Sequence, residues 1–207
     1  DTVQFIRHGW IERNRILKPG DGWQYLKVPL LKHQETTKIR DIKINNSLEW
    51  KNKIFAQLQH YKKKSPYYSA TIRLLEDIFS EDYKDIVSLN RICLRKICSY
   101  LDINMNIDIF SEMDLKISTP MQSDEWALNI CKALGNIDEY WNPPGGKEFF
   151  NKSKFQKEGI NLKFQCINLP KYNQNRKIFE KGLSIIDVMM FNSIEEINAA
   201  LDNYEFC

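Results

Sequence analysis

DEWALNICKALGNIDEYWNPPGGKEFF, residues Asp124 to Phe150, decides how the chain is read. Ala127, Ile130, Cys131 and Leu134 recur at the one-face spacing of a 3.6-residue period. That spacing predicts a helix with Ser123 at its N-cap and Gly135 just past its C-cap. An extended run from Ile137 to Trp141 follows, and Pro143-Pro144-Gly145-Gly146-Lys147 then turns the chain. Helix, tight stop, short strand and glycine turn in that order predict an α/β fold. Ligands in such folds gather beyond the carboxyl ends of strands, where glycine lets the backbone approach and free N–H groups meet an anion. Gly145, Gly146 and Lys147 are therefore candidate site residues, against the simpler reading that the segment only turns the chain.

Downstream, Phe149 and Phe155 mark a short helix ending by Gly159, and Leu162, Phe164 and Cys166 alternate along a strand from Ile160 to Ile167. With the run at 137 they predict a right-handed βαβ unit over 137–167. Leu169 to Phe179 reads as a loop, and Tyr172 and Gln174 on it are candidate ligand contacts. The helix expected over Leu183 to Phe191 carries Asp187 inside an apolar run, an acid either paired for structure or kept for chemistry. Ser193 and Glu196 form a capping-box pattern for a last helix with Ile194, Ile197, Leu201 and Tyr204 on one side.

Upstream, Thr2 to Ile6 alternates like a strand. RHGWIERNRI, from Arg7 to Ile16, then concentrates three arginines, a histidine and an asparagine. On a strand Arg13 and Arg15 share a face opposite Asn14, and guanidinium groups grip phosphate or carboxylate bidentately. His8 is a candidate base, against the commoner reading of a surface histidine. Past the turn at Pro19 to Gly22, Leu26, Val28 and Leu30 mark a strand, and Ile42 and Ile44 mark another. From Ser47 the period changes. Helices are expected over Ile54 to Tyr61, closed by Ser65-Pro66, over Tyr68 to Phe79, and over Tyr83 to Leu101. Asn90 interrupts the third stripe and must find a hydrogen-bond partner in the fold or in a ligand. Ile107 to Phe110 reads as one more short strand. The fold expected is a single α/β domain with a mixed or mostly parallel sheet, flanking helices, and a helical insertion at about 47–102 able to cover a site.

The 207 residues suit one domain, and 43% hydrophobic with 28% charged residues describes a soluble globular chain. No run approaches the ~18 apolar residues of a membrane span, so a cytoplasmic location is the default expectation. Cys93, Cys98, Cys131, Cys166 and Cys207 make an odd set without a CxxC pair. Neither a disulfide framework nor a metal site is expected, and most of the thiols read as small core residues. Up to Lys64 there are fourteen Lys/Arg against six Asp/Glu, while the rest has sixteen against twenty-one. A basic first third suits an anionic partner such as a nucleotide or pyrophosphate, although Lys62 to Lys64 read more simply as a solvated face. Aromatic residues are not interleaved with the basic ones in sequence, which argues against nucleic acid.

Several of these stretches together resemble the WbqC-like protein family. They are Asp1 to Phe5 with Gly9-Trp10 and Arg13-Asn14-Arg15, Ile130 to Gly135, Pro144 to Lys147, Gly159-Ile160, Pro170 to Gln174, and Leu183 to Asp187. No single one is diagnostic, but the ordered set is specific. Family members open with a strand and a Gln-Pro-x-Tyr-x-Pro type motif before an aspartate pair, so a chain starting at the second aspartate is expected to be truncated relative to them. Their Tyr-Leu-Ser-Gly run is here Tyr140-Trp141-Asn142-Pro143.

The resemblance implies a role in O-antigen biosynthesis, with transfer of a glycyl, other aminoacyl or acyl group to the amine of a nucleotide-linked sugar. No cofactor is implied. In that reading Arg13, Arg15 and Lys147 hold pyrophosphate, Gly145 and Gly146 lend N–H groups, and Asp187, Asp1 or His8 takes the amine proton. Gln4, Asn14, Asn90, Tyr172 and Gln174 complete the expected substrate contacts, and a helical core position disfavours Cys131 as an acyl carrier. The alternatives are a non-catalytic nucleotide-sugar or partner-binding module and an ATP-dependent adenylate-forming ligase.

Overall fold

Short extended pairings alternate with amphipathic helices along the whole chain. The computed structural model describes residues 1–207. The order is β1 (Arg13–Leu17), β2 (Trp23–Lys27), α1 (Trp50–Leu58), α2 (Tyr68–Ile78), α3 (Ile86–Tyr100), α4 (Ser123–Leu134), β3 (Glu139–Asn142), α5 (Lys152–Lys157), β4 (Asn161–Ile167), α6 (Ile185–Phe191), α7 (Ile194–Leu201) and β5 (Tyr204–Phe206). The class is α/β, with two separate sheets in place of the one expected. β1 and β2 form an antiparallel hairpin, and the second sheet is mixed, in the order β3-β4-β5. The chain divides into two compact units, Asp1–Glu112 with Lys171–Asn198, and Met113–Pro170 with Ala199–Cys207.

In the first unit the helices at 47–102 supply much of the core itself. Trp50, Ile54, Leu58, Leu75, Ile78, Ile86 and Leu89 are buried with Ile16 and Leu17 of β1 and Met190 of α6. Each such side chain contributes about 1.5–3 kcal/mol by leaving water. The period-3.6 stripes fall where expected, α3 being capped by Asp85, whose carboxylate accepts the Ser88 N–H at 2.9 Å. The capping box at α7 forms in both directions, Ser193 N–H to Glu196 Oε2 at 2.8 Å and Glu196 N–H to Ser193 Oγ at 3.2 Å.

In the second unit β3 pairs in parallel with β4 across α5, which is the expected βαβ unit. Gly135 stops α4 with φ 66°, a conformation that costs least without a Cβ. Leu128 and Cys131 of α4 pack with Phe155, Ile160, Leu162 and Phe164.

Several local expectations are corrected, beginning with the strand expected at Ile42 and Ile44, which forms only the isolated bridges Leu30 to Ile44 and Lys43 to Asp85. Thr2 to Ile6 bends at Val3 and forms only a bridge at Gln4 to Lys38, after which the chain turns into a 3-10 segment at Ile39–Asp41. Ile107 to Phe110 is no strand either; a 3-10 turn begins at Phe110, and the Asp1 carboxylate takes the Ser111 N–H at 3.1 Å. Ser123 is the first residue of α4 and Gln122 stands at its cap. Tyr204 belongs to β5, which pairs antiparallel with β4, and Cys207 beyond it is bonded to Cys166. Cys166 does sit in the predicted strand, but a disulfide replaces the small core residue expected there. No helix is long and apolar enough to cross a membrane.

Candidate functional site

β1 reads RNRIL, and its alternation buries Ile16 while Arg13 and Arg15 project together over β2. Tyr25 lies opposite Arg15 in the register, and the Arg13 guanidinium stacks 4.3 Å from the Tyr25 ring centre. The Arg15 guanidinium lies 5.2 Å from each of Trp10 and Trp23 and donates to the Gly182 carbonyl at 2.8 Å. The fold thus interleaves aromatic and basic side chains that are apart in sequence. Arg13 donates to the His8 carbonyl at 2.5 Å and to the Gly9 carbonyl at 3.1 Å. It holds a turn in which His8 adopts φ 64°, a left-handed conformation that persists where its surroundings over-determine it.

That turn builds the wall of a cavity of about 300 Å³ in the first unit, lined by Arg7, His8, Glu12, Lys27, Lys32 and His33 with apolar residues behind. Glu12 is only 6% exposed, and its side chain makes no hydrogen bond or ion pair; one carboxylate oxygen, Oε2, is fully enclosed. The His33 Nδ1 faces the Leu31 carbonyl at 2.9 Å, so that nitrogen carries the proton in the neutral ring and Nε2 keeps a lone pair. Nε2 is likewise enclosed without a partner. A second cavity of about 170 Å³ shares Glu12 and Lys27 with the first and adds Trp10, Arg13, Asn14 and Asn90. The Asn90 amide donates to the Ile11 carbonyl at 3.1 Å, which answers its expected need for a partner within the fold.

Asp187 is wholly buried. Tyr61 donates to its Oδ2 at 2.5 Å, while Tyr172 donates to Oδ1 at 2.5 Å and the Gln174 amide to the same oxygen at 3.4 Å. The Tyr61 hydroxyl in turn accepts the Leu17 N–H at 2.8 Å. Three of the predicted residues, Asp187, Tyr172 and Gln174, therefore come together, and what they form is a closed network. Burial pushes the Asp187 carboxyl above the ordinary 3.8, with the two tyrosines, Arg176 and Gln174 pulling it back in part. Burial, followed by the Asp187 charge, raises both phenols strongly.

The sign of the resulting pH dependence follows from linkage. A carboxyl whose folded pKa lies above its unfolded one favours folding fully below the unfolded value, and that contribution is lost as pH climbs through the folded value. The stability of wild type relative to Asp187→Asn, which does not titrate there, should fall as pH rises from about 4 toward neutrality. Thermal melts of both proteins across that range check this, and a difference independent of pH would contradict it.

Most of the remaining predicted residues have partners of their own. Gln4 is exposed and donates to the Glu35 carbonyl at 2.8 Å, and Asp1 is tied to Ser111. The Asn14 side chain accepts the Arg15 N–H at 2.8 Å. Gly145, Gly146 and Lys147 belong to the second unit, whereas Arg13 and Arg15 belong to the first. The Pro144–Gly146 segment closes on itself. Gly146 N–H donates to the Pro143 carbonyl at 3.0 Å and Lys147 N–H to the Pro144 carbonyl at 3.1 Å, so these two amides already have acceptors. A Cβ at Gly146 would collide with the Asn142 amide, which accounts for that glycine by packing. Glu12, Lys27, Lys32 and His33 escaped the sequence reading because no period or motif links them, and Arg7 entered it only as one of three arginines in the stretch from Arg7 to Ile16. Only the basic density of the first third pointed toward their surroundings.

Comparisons with known proteins agree with the resemblance seen in the sequence. The model of the WbqC-like protein family matches residues 1–199. The chain is also similar to "Uncharacterized protein Rv1507c" of Mycobacterium tuberculosis, with 26% identity over 195 residues, covering 93% of this chain and 81% of the relative. No solved structure matches.

Proposed function

The chain belongs to the WbqC-like protein family, and on that premise we propose that it transfers an aminoacyl or acyl group to the amine of a nucleotide-linked amino sugar in surface-polysaccharide biosynthesis. One observation carries the reading: the cavity of the first unit sets Arg7, Lys27 and Lys32 around the buried Glu12, with His8 on the same wall. Three exposed cations, Arg7 lying 3.7 Å from Glu35, outnumber the carboxylates beside them and favour a phosphate-bearing ligand. Amide formation consumes a neutral amine and generates an oxyanion as the carbonyl is attacked, so it needs a proton acceptor and a neighbouring cation or donor. His8 is the proton acceptor in this proposal, and the lysines lie beside the developing charge. Asp187, with its oxygens already engaged, acts as a positioning residue through Tyr172 and Gln174. A sugar-nucleotide substrate would put the reaction in the cytoplasm, where a disulfide such as Cys166–Cys207 is seldom kept.

The test joins binding to turnover. A thermal-shift series with UDP-linked amino sugars and with ATP is followed by mass spectrometry of mixtures containing a glycyl or other acyl thioester, whose thiol leaves as the amide forms. Stabilisation by the nucleotide sugar together with an amide product is the expected result. Arg7→Ala with Lys32→Ala should weaken nucleotide-sugar binding by about tenfold or more while leaving the melting temperature nearly unchanged, because surface cations add little to stability. Undiminished binding in that double variant would remove the cavity from the proposal. The engaged amides of Gly146 and Lys147 favour a second reading, binding without chemistry, which nucleotide-sugar stabilisation without product would identify. Stabilisation by ATP alone would favour a ligase.

A further inference from the structure

We propose that Glu12 seats the amino group of the ligand, so that the cavity selects small molecules carrying an amine and a phosphate on one scaffold, the amino-sugar phosphates. The inference rests on the anion-holding role given above to Arg7, Lys27 and Lys32, and it adds which end of the acceptor goes where. Glu12 Oε2 and His33 Nε2 are enclosed acceptors without partners, and Glu12 Oε1, equally without a partner, is the oxygen of that carboxylate left accessible to a ligand. A buried acceptor left unmade is unfavourable, and an ionised one more so, unless a ligand completes it.

The flanking cations do not complete it, since neither Lys27 nor any other cation on the wall pairs with Glu12, and Arg7 instead lies 3.7 Å from Glu35. The cavity therefore has polarity. It offers the unpartnered Glu12 carboxylate to an N–H or O–H donor, and the exposed Arg7, Lys27 and Lys32 to an anion, Arg7 being shared with Glu35. A phosphate alone satisfies one end and meets repulsion from Glu12. An amine alone satisfies Glu12 and meets the cations. An ammonium with a neighbouring hydroxyl on one side of a ring, and a phosphate on the other, satisfies both. About 300 Å³ lies at the low end of ligand pockets, which suits the amino-sugar phosphate portion of a nucleotide-linked sugar. A cavity of about 170 Å³ also counts Glu12 and Lys27 among its lining residues.

The experiment is calorimetric titration of the full chain with glucosamine 6-phosphate, glucose 6-phosphate and glucosamine. Wild type is expected to bind glucosamine 6-phosphate about tenfold or more tightly than glucose 6-phosphate, the range of a charge-assisted hydrogen bond. Glu12→Gln keeps the size of the side chain and removes its charge; it should bring that ratio to about one without weakening glucose 6-phosphate. Arg7→Ala should lower the affinity for both phosphates by the same factor. A ratio near one in wild type, or one unchanged in Glu12→Gln, overturns the assignment of Glu12 while leaving the anion site standing. Glucosamine binding as tightly as its phosphate, with the preference for the amine intact, overturns the anion site and leaves Glu12 standing. Absence of binding by all three overturns both. Circular dichroism of Glu12→Gln guards against a folding defect, and His33→Gln, which keeps an acceptor at the ring edge, gives a second reading on the same ratio.

Discussion

Asp187→Ala should destabilise the first unit by about 3–5 kcal/mol, because it leaves the Tyr61 and Tyr172 hydroxyls and the Gln174 amide without their common acceptor and opens a void around them. The loss spreads through the elements those groups fasten. Tyr61, in the 3-10 turn after α1, accepts the Leu17 N–H and so joins that turn to β1. Gln174 is clasped by the backbone of Glu180 in both directions at 2.9 Å, and Arg176 on the same loop donates to the Gly22 and Lys18 carbonyls of the β1–β2 turn. Asp187→Asn keeps the shape and one acceptor, so its cost should be nearer 1–2 kcal/mol, about a third of the first. Urea unfolding of the three proteins gives the numbers. The pair also separates two roles for Asp187. If it only positions, turnover in Asp187→Asn follows the folded fraction; if it takes the amine proton, turnover collapses while the fold is retained.

That network shows where sequence reading succeeds and where it stops. An acid in an apolar helical run is visible from periodicity, and so is the demand that something satisfy it. Tyr172 and Gln174 are visible as loop polars. Tyr61 is legible only as one apolar member of a helical stripe, since nothing in a 3.6-residue period tells which way a phenol hydroxyl points. The helices from Trp50 to Tyr100 and the βαβ unit follow from local spacing and from glycine and proline punctuation. The strands expected at Thr2 to Ile6 and Ile107 to Phe110 do not form, because an extended segment becomes a strand only when a partner of matching length lies beside it. The candidate site is illegible for a related reason. Glu12 sits between Ile11 and Arg13 with no distinguishing spacing, and its isolation is a property of what the folded turn brings near it, not of its neighbours in sequence.

Phe155→Ala is the second large effect expected, about 3–5 kcal/mol, and its distribution over the chain matters as much as its size. Phe155 has no exposure, stacks on Tyr140 at 5.7 Å with an interplanar angle of 17°, and lies 6.0 Å from Phe150. Its unit has few buried apolar side chains to share the loss, Leu128, Cys131, Ile160, Leu162 and Phe164 being the others. A core that small supplies only a few kcal/mol beyond the entropy it must offset, so removing its central ring should leave the unit largely unfolded. The first unit keeps its own core of Ile16, Leu58, Ile78 and Met190, to which Phe155 does not belong. Residue-resolved hydrogen exchange should then show lost protection across β3 and β4 with protection retained in α2 and α3. Equal loss in α2 and α3 would mean that both cores melt as one cooperative block. If they melt separately, the amino-sugar phosphate affinity of the cavity beside Glu12 should survive Phe155→Ala, because every residue lining that cavity lies in the first unit.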